Sequence, residues 1–553
     1  MKRTYTNSSV PTETIPVPRS GVIAAGDPET AAAGAEMLKQ GGNAVDAAVA
    51  AAFASFIAEI GVVHWGGSGL AHIYDGRNGR LPAARGIVYD FFSDMPGRNG
   101  SPPDQLDFEE VMIDFGATTQ SFHLGRASVA VPGNIFGLCQ LAADYGRLPL
   151  PTLLQPALRL AREGLHLTRF QTDTCELLAP LYTHTPAMRR IFMKNGRLIQ
   201  PEDHFHIPDL AATLAELALE GESLVRNGRL AQTIVHDQQT RGGLLTATDL
   251  AHYQVHKAEP IRLAYREFEI LLPPPCSSGG VLTAFTFKLL NQFDVRRLTH
   301  GSAQHLSLLY EVMTATTHAR NTWENLSLAF PTAEAIARFL DDGFIHTYVE
   351  RINEALHRSR PTPPQAEPTS GNNTSHLSVM DEDGLAVSLT TTAGESAGYV
   401  VPGTGIILNN MLGEADLHPN GFHTRPAGER IPTMMTPTIV LKDGQTRLVL
   451  GSGGSIRIRS AILQVLCNLL DFEMPLAEAV NVARVHVEDG VLQCEAGFDE
   501  TAVSELEAMG YPVNRWPTRS IYFGGVHSVS RDENGRLYAA GDNRRGGSTA
   551  EVT

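Results

Sequence analysis

The sequence has few cysteines, few aromatic residues and no excess of positive charge. Its five cysteines are odd in number, scattered and never spaced as CxxC, which argues against a disulfide framework and a thiolate zinc cluster. Lysine and arginine number 44 against 60 aspartates and glutamates, a formal net charge of −16, so the chain lacks the basic excess of a nucleic-acid-binding protein. With 42 % hydrophobic and 19 % charged residues over 553 positions, the composition is that of a folded, enzyme-sized protein.

Long apolar runs are missing as well. No stretch of about 18 apolar residues occurs, so we expect no membrane-spanning helix. The most apolar segment, residues 47–60, contains Ser55 and Glu59 and is typical of a buried helix. Residues 1–20 lack the apolar core of a secretory signal peptide. We therefore expect a cytoplasmic protein, provided that Met1 is the true start.

The secondary-structure pattern changes about two thirds of the way along the chain. Residues 21–26 predict a strand, residues 29–40 and 43–57 predict helices, and helical patterns then dominate. After residue 374 the pattern becomes strand-like. Between the two regimes, residues 358–373 read RSRPTPPQAEPTSGNN, with four prolines and no apolar face. This segment is typical of an exposed linker, and such a break ordinarily marks a domain boundary.

Thr374 opens the first strand-like segment after the linker. A threonine hydroxyl is a weak nucleophile unless a base takes its proton. If the peptide bond between Asn373 and Thr374 is cut, the freed α-amine lies on the same residue and can act as that base. A threonine at the start of a strand is common, so this hypothesis depends on the surrounding sequence.

Several longer stretches carry a family resemblance. They are GVIAAGDPETAAAGAEMLKQGGNAVDAAVAAAF at 21–53, VPGNIFGLCQLAADYGRLPL at 131–150, PPPCSSGGVL at 273–282, NTSHLSVMDEDGLAVSLTTT at 373–392, GIILNNML at 405–412, MTPTIVLKDG at 435–444 and LGSGGSIRIRSAILQVL at 450–466. Through these ordered stretches, over about residues 20–550, the chain resembles the γ-glutamyltransferase (γ-glutamyltranspeptidase) family of N-terminal-nucleophile hydrolases.

The resemblance implies an α/β (α+β) fold, a four-layer αββα sandwich formed by two chains of one self-cleaved precursor. Cleavage between Asn373 and Thr374 would give a large chain, 1–373, and a small chain, 374–553, intertwined as one globular unit. Residues 358–373 then form a processing linker. The implied partners are these two chains and a small-molecule amide substrate. No cofactor, metal, nucleic acid or membrane is implied, and a homodimer is compatible with the resemblance.

Matched residue by residue, the resemblance also assigns the catalytic groups. Thr374 corresponds to the nucleophile, and Thr392, eighteen residues later, to a second threonine whose hydroxyl orients the first. Gly453 and Gly454 correspond to the oxyanion hole, where each backbone N–H can stabilise the tetrahedral intermediate by about 3 kcal/mol. Ser455 stands beside them and is assigned to the substrate site.

The substrate pocket departs from the family pattern. The glutamyl-transferring members carry an arginine in a D-F-R-E motif that pairs with the substrate's α-carboxylate, and here residues 90–93 read DFFS. Phe92 thus replaces a charged bidentate partner, which is not a conservative change. The remaining predicted pocket positions are Gly394 in place of an asparagine, Asn409 of the LNN motif, Met411 in place of a glutamine, Glu414 for the α-ammonium, and Thr433 and Met434 in place of paired serines.

We therefore expect intact catalytic machinery beside a rebuilt specificity pocket. The predicted function is an amidohydrolase or acylase that works through an acyl-enzyme on Thr374, with an apolar or simple dicarboxylic acyl group. One alternative is an ordinary γ-glutamyltransferase or glutathione hydrolase, in which Arg425, Arg430 or Arg457 supplies the missing charge. A second alternative is a catalytically silent relative that serves as a scaffold or binding protein.

Overall fold

Two large antiparallel sheets face each other in the computed structural model, which describes residues 18–76, 86–114, 119–365, 373–418 and 420–553. The central sheet has seven strands, which in spatial order are His256–Ala258, Ile87–Phe91, Ser68–Asp75, Leu385–Thr392, Ser375–Asp381, Gly21–Ala25 and Ser548–Val552. The second sheet has six, in the order Ile261–Tyr265, Phe268–Leu272, Thr438–Lys442, Gln445–Leu450, Ser528–Arg531 and Leu537–Ala540.

The remaining strands of the described ranges form small sheets of two or three strands. Their paired strands are Glu109–Asp114 with Thr119–Leu124, Leu165–His166 with His204–Phe205, Met193–Lys194 with Arg197–Leu198, Ser452–Gly453 with Gly525–Val526, and the trio Val485–Glu488, Val491–Cys494 and Val513–Arg515. The pair that contains Ser452–Gly453 matters for the site, because it precedes a helix that begins beside Thr374.

Helices cover the outer face of each sheet. Those of eight or more residues are Pro28–Lys39, Ala44–Ala58, Asn134–Tyr145, Gln155–Glu163, Arg169–Leu177, Leu210–Glu220, Arg229–Thr240, Ser278–Leu290, Ala303–Ala329, Thr332–Phe339, Asp342–Arg358, Arg457–Leu470 and Glu500–Ala508. Shorter helices are Leu150–Leu153, Ala179–Tyr182, Pro186–Phe192, Ser223–Arg226, Ala247–His252 and Leu476–Asn481. None of the helices in the described ranges combines the length and apolarity that crossing a membrane requires.

Alternation along the strands shows how the layers stack. In the first strand, Ile23 and Ala25 pack among the outer helices, whereas Val22 and Ala24 pack against the second sheet. In the second sheet, Ile439 faces the central sheet and Val440 faces the other helical layer. Because successive side chains of a strand point to opposite faces, each sheet is buried on both sides. The arrangement is helix, sheet, sheet, helix, which confirms the expected αββα fold.

The first two helices begin where the sequence predicts. Asp27 caps the first helix by accepting a hydrogen bond from the backbone N–H of Glu29, and Pro28 occupies the first helical position. Asn43 and Asp46 form a reciprocal capping box at the start of the second helix. These local signals place the Ala-rich helix Ala44–Ala58, buried along its whole length, against the central sheet.

Residues on either side of Thr374 contribute to both sheets. In the central sheet, the strand Ser375–Asp381 lies between Leu385–Thr392 and Gly21–Ala25. Residues before and after the predicted cleavage point are therefore interleaved, as the prediction of one globular unit requires. The predicted linker begins where the helix Asp342–Arg358 ends, and its residues 366–372 lie outside the described ranges.

Candidate active site

Thr374 immediately precedes the central strand Ser375–Asp381, and its side chain is buried. In the antiparallel pairing of this strand with its neighbour, Ser375 lies opposite Thr391. The next step of the same register brings Thr374 opposite Thr392. Two threonines eighteen residues apart in the sequence thus meet at one end of a hairpin.

The hydroxyl of Thr392 contacts the peptide group that is predicted to be cut. It donates a 2.7 Å hydrogen bond to the carbonyl oxygen of Asn373 and accepts a 3.1 Å hydrogen bond from the backbone N–H of Gly394. In this continuous chain the hydroxyl therefore polarises the carbonyl that precedes Thr374. The sequence predicts a bond to the Thr374 hydroxyl instead, and that orienting role stays a prediction.

A glycine turn at the start of the helix Arg457–Leu470 lies against the backbone of Thr374. A Cβ atom on Gly453 would stand 2.1 Å from the Thr374 carbonyl oxygen, so a larger residue requires that oxygen to move. Gly454 and Ser455 have positive φ angles, 119° and 52°, which turn the chain into the helix. Backbone N–H groups at a helix start attract negative charge. The turn therefore suits an oxyanion hole, and the roles of its N–H groups stay predictions.

A cavity of about 20 Å³ adjoins Thr374, with room for roughly one water molecule. Residues predicted from the sequence make up most of its lining: Phe92, Thr374, Thr392, Met411, Glu414, Thr433, Met434 and Ser455. The sequence motifs did not point to four further lining residues, Asp416, Leu417, Met435 and Ile458. Each of these four residues lies within three positions of a predicted one, so a search three residues beyond each motif would have found them.

Gly394 lies behind the cavity wall and is not among the lining residues. Its φ angle is +66°, and a Cβ atom there would stand 2.2 Å from Oε1 of Glu414 and 2.3 Å from Oδ1 of Asn410. The Glu414 carboxylate thus occupies the space that the family's asparagine side chain would need. Gly394 shapes the site by leaving room for Glu414.

Asn409 is also absent from the cavity lining, because its side chain is engaged with the backbone. Its Oδ1 accepts hydrogen bonds from the N–H groups of Ala130, at 3.0 Å, and Met411, at 3.2 Å. Its Nδ2 donates to the carbonyl oxygens of Gly66, at 2.8 Å, and Ala130, at 3.0 Å. Asn409 therefore ties the segment that carries Met411 to two loops of the large chain.

The three arginines that could replace the missing charge near Phe92 are bound to other groups, although Arg430 also donates to the backbone carbonyl oxygen of Phe92 itself. Arg430 forms an ion pair with Asp94 at 2.9 Å. Arg425 pairs at 2.7 Å with a glutamate four residues later, and the guanidinium of Arg457 lies 4.7 Å from the centre of a tyrosine ring. None of the three lines the cavity. Among the residues that the structure describes, no cluster of His, Cys, Asp or Glu is arranged to hold a metal ion.

Three buried charged residues contact the chain around Thr374: Glu59, Glu395 and Arg545. None of them was predicted from the sequence as a site residue. Arg545 donates from Nη1 to the carbonyl oxygen of Thr374 at 3.3 Å, and burial lowers the pKa of its guanidinium to about 10. Glu395 accepts a 3.1 Å hydrogen bond from the backbone N–H of Asn373. The one available signal was Glu59, which interrupts an otherwise apolar segment.

Glu59 is held beneath the strand that follows Thr374. Its carboxylate accepts hydrogen bonds from the hydroxyls of Ser375 and Thr30. Burial raises the pKa of Glu59 to about 7, and these hydroxyls oppose the shift only in part. The folded protein therefore binds a proton at Glu59 over a pH range in which the unfolded chain releases it.

Replacing Glu59 with glutamine is expected to remove part of the pH dependence of stability. A raised carboxyl pKa contributes stability that is complete below the unfolded value, about 4.5, and is lost as the pH rises through about 7. The full shift corresponds to at most about 3 kcal/mol, or roughly 2–3 °C in the Tm of a chain this long. Glutamine, which does not ionise, should keep that stability at high pH.

Thermal melting at about pH 5 and about pH 8 measures this effect. The parent protein is Thr374→Ala and the variant is Thr374→Ala with Glu59→Gln, so that the predicted cleavage occurs in neither. The Tm of the glutamine variant relative to its parent should rise between the lower and the higher pH. An equal Tm difference at both values would show that Glu59 does not titrate as inferred.

The fold is the αββα sandwich expected of N-terminal-nucleophile hydrolases, and comparison with known proteins identifies the family. A family model described as gamma-glutamyltranspeptidase matches residues 30–552. The acylase ACY 1 proenzyme of Pseudomonas sp. (strain SE83) is 32 % identical over 546 residues, which cover 96 % of this chain and 94 % of the relative. The glutathione hydrolase proenzyme of Escherichia coli (strain K12) is 30 % identical over 552 residues, covering 95 % and 90 % respectively.

Solved structures agree at the level of the fold. The cephalosporin acylase from Bacillus halodurans superposes with a TM-score of 0.80 at 23 % identity, covering 99 % of both chains. The γ-glutamyltranspeptidase of Helicobacter pylori superposes with a TM-score of 0.50 at 23 % identity, covering 66 % of this chain and 95 % of that one. The chain belongs to the γ-glutamyltranspeptidase family, and it is an enzyme of that family's hydrolase and acyltransferase type.

Proposed function

We propose that this protein is a self-processing acylase that cuts its own chain between Asn373 and Thr374 and then hydrolyses amides through an ester on Thr374. The observation that carries the proposal is the position of Thr374 at the start of a central strand. The preceding carbonyl accepts a hydrogen bond from Thr392, and a mostly apolar cavity lies beside it. The acylase proenzymes among the relatives support the same assignment.

In the self-cleavage, the Thr374 hydroxyl oxygen attacks the carbonyl carbon of Asn373. The carbon–nitrogen bond breaks, the amide nitrogen takes the hydroxyl proton, and an ester joins Asn373 to the threonine oxygen. Thr392, which donates to the carbonyl oxygen at 2.7 Å, stabilises the negative charge that develops there. Water then hydrolyses the ester, which leaves a carboxylate on Asn373 and a free hydroxyl and α-amine on Thr374.

In the reaction with substrate, the α-amine of Thr374 takes the proton of its own hydroxyl while the oxygen attacks the substrate's amide carbonyl. The N–H groups of Gly453 and Gly454 are the proposed donors to the oxyanion. The protonated α-amine then gives its proton to the departing amine, which leaves an acyl group on the threonine oxygen. A water molecule, deprotonated by the same α-amine, hydrolyses this ester and restores the enzyme.

The cavity lining supports an acyl group without an amino-acid head. Apolar surface makes up most of the wall, and six of the twelve lining residues are apolar, among them Phe92, Met411 and Met434. The lining also holds the carboxylates of Glu414 and Asp416. No arginine or lysine stands among the lining residues. A γ-glutamyl group would bring an α-carboxylate to this surface, where no lining cation can pair with it, and burying a charge without a paired partner is costly. An apolar acyl chain brings no charge, and a dicarboxylic one brings a single terminal carboxylate.

The family's glutathione hydrolases make γ-glutamyl hydrolysis the second candidate, and one observation favours it. Glu414 lines the cavity at the position assigned to the α-ammonium, so this contact of the family pocket has a counterpart. The α-carboxylate has none at Phe92. A silent scaffold is the third candidate, and the arrangement of Asn373, Thr374 and Thr392 gives it no support.

Three p-nitroanilides that differ only in the head group test the substrate class: pentanoyl, glutaryl and γ-glutamyl. Loss of a charge-assisted hydrogen-bonded contact costs about 1.5–3 kcal/mol. We therefore expect kcat/KM for the pentanoyl or glutaryl compound to exceed that for the γ-glutamyl compound by at least about tenfold. Release of p-nitroaniline by the processed protein measures all three on one scale.

The comparison within the panel also separates the two acyl classes. Preference for pentanoyl over glutaryl would assign the pocket to apolar chains, and the reverse would assign it to dicarboxylic ones. If the γ-glutamyl compound is turned over fastest, the acylase assignment is wrong and the glutathione-hydrolase alternative replaces it.

A further inference from the structure

Asn373, the residue before the predicted cleavage point, is held at three separate atoms. Its backbone N–H donates to Oε1 of Glu395 at 3.1 Å, and its side-chain Nδ2 donates to the carbonyl oxygen of Gly61 at 3.1 Å. Its own carbonyl oxygen accepts from Thr392 at 2.7 Å. The residue is buried, so water does not compete freely for these bonds. Three anchors on one residue define the direction of its carbonyl group.

Glu395 is itself fixed in place. Oδ1 of Asn410 accepts hydrogen bonds from the backbone N–H groups of Glu395, at 2.7 Å, and Ser396, at 3.2 Å. Only 1 % of Glu395 is exposed, and Asn373 is the partner that its Oε1 binds. Within the described ranges, its second oxygen, Oε2, has no hydrogen-bond partner. A carboxyl group whose burial costs free energy is thus hydrogen-bonded to the residue that carries the scissile carbonyl.

We propose that Glu395 is a positioning residue for self-cleavage, which holds Asn373 so that its carbonyl carbon faces the Thr374 hydroxyl. The assignment rests on the proposed self-cleavage. Glu395 acts through the backbone N–H of Asn373 and not through the reacting carbonyl group. Its contribution is orientation, because attack on a carbonyl depends steeply on the alignment of the two reacting atoms.

The electrostatic surroundings fit this role. Burial raises the pKa of Glu395 well above its usual range, while the Asn373 N–H and the charges of Arg545 and Arg457 oppose that shift. A carboxyl group in either protonation state keeps an oxygen that can accept the Asn373 N–H. The positioning therefore requires an acceptor oxygen at this place, and glutamine supplies one with nearly the same shape.

The test compares the rates at which freshly purified full-length chains convert to two fragments on a denaturing gel. Glu395→Ala removes the acceptor and is expected to slow conversion by about tenfold to a hundredfold, whereas Glu395→Gln should remain within about threefold of wild type. The matched control is Asp46→Ala. Asp46 is equally buried and accepts the backbone N–H of Arg147 at 2.9 Å, away from the cavity and from the linker.

Melting temperatures of the same variants separate positioning from general stability. Asp46→Ala should lower the Tm to a similar extent as Glu395→Ala and yet cleave at nearly the wild-type rate. The assignment is overturned if Glu395→Ala cleaves as fast as wild type, if Glu395→Gln is as slow as the alanine variant, or if Asp46→Ala is equally slow. A wild type that never converts would overturn the self-cleavage itself, which is a different result from any of these.

Discussion

Replacing Thr374 with alanine is expected to leave the protein as one uncleaved chain with no measurable turnover. The proposed self-cleavage and the proposed hydrolysis both use the Thr374 hydroxyl oxygen, and the second also uses the α-amine that cleavage releases. Alanine supplies no oxygen to attack the Asn373 carbonyl. A denaturing gel should therefore show a single band of 59.8 kDa, whereas wild type is expected to show the fragments 1–373 and 374–553.

Serine at the same position provides the matched comparison. Thr374→Ser keeps the hydroxyl and loses one methyl group, so it should still cleave and retain turnover, although more slowly. Thr374 is buried, and its backbone is held by Arg545 through the carbonyl oxygen, so neither change removes that contact. A Thr374→Ala protein that still separates into the two fragments would mean that another group, or a protease, cuts the chain.

Replacing Gly453 with alanine is expected to produce the second-largest loss. The added Cβ atom would stand 2.1 Å from the Thr374 carbonyl oxygen, closer than packed atoms approach, and a tight 3.1 Å from the Arg545 guanidinium. Either Thr374, the proposed nucleophile, or the glycine turn must shift, and the N–H groups of that turn are the proposed oxyanion donors. Loss of one such donor typically costs about 100-fold to 1,000-fold in kcat.

The rate of self-cleavage and the kcat of any processed fraction measure this effect. Gly76→Ala is the control, because a Cβ there meets its nearest atoms at an ordinary 3.5 Å. Both variants should be checked by thermal melting, so that loss of activity in a folded Gly453→Ala protein can be assigned to the site. Unchanged cleavage and unchanged turnover in that variant would remove Gly453 from the oxyanion hole.

Much of the architecture follows from local sequence. The caps at Asp27 and Asn43 place the first two helices within one or two residues of their predicted bounds. The register of the hairpin after Thr374 follows from its tight turn, which brings Thr392 beside the cleavage point. The family motifs then locate most of the cavity wall, although its residues come from separate stretches of the chain between Phe92 and Ile458.

Other features could not be read from neighbouring residues. From the sequence alone, Gly394 in place of the family's asparagine indicates only that one substrate contact is missing. The structure shows instead that the Glu414 carboxylate has taken the vacated space.

The sequence by itself determined the secondary-structure order, the position of Thr374 behind a proline-rich linker, and the departure from the family at Phe92. Only the tertiary structure decided which charged groups act there. Glu395 meets Asn373 across 22 positions, Arg545 meets Thr374 across 171, and Glu59 meets Ser375 across 316. Caps, turns and strand registers are set by neighbours in the chain, whereas burial and charge pairing depend on which distant segments the packing of two sheets brings together.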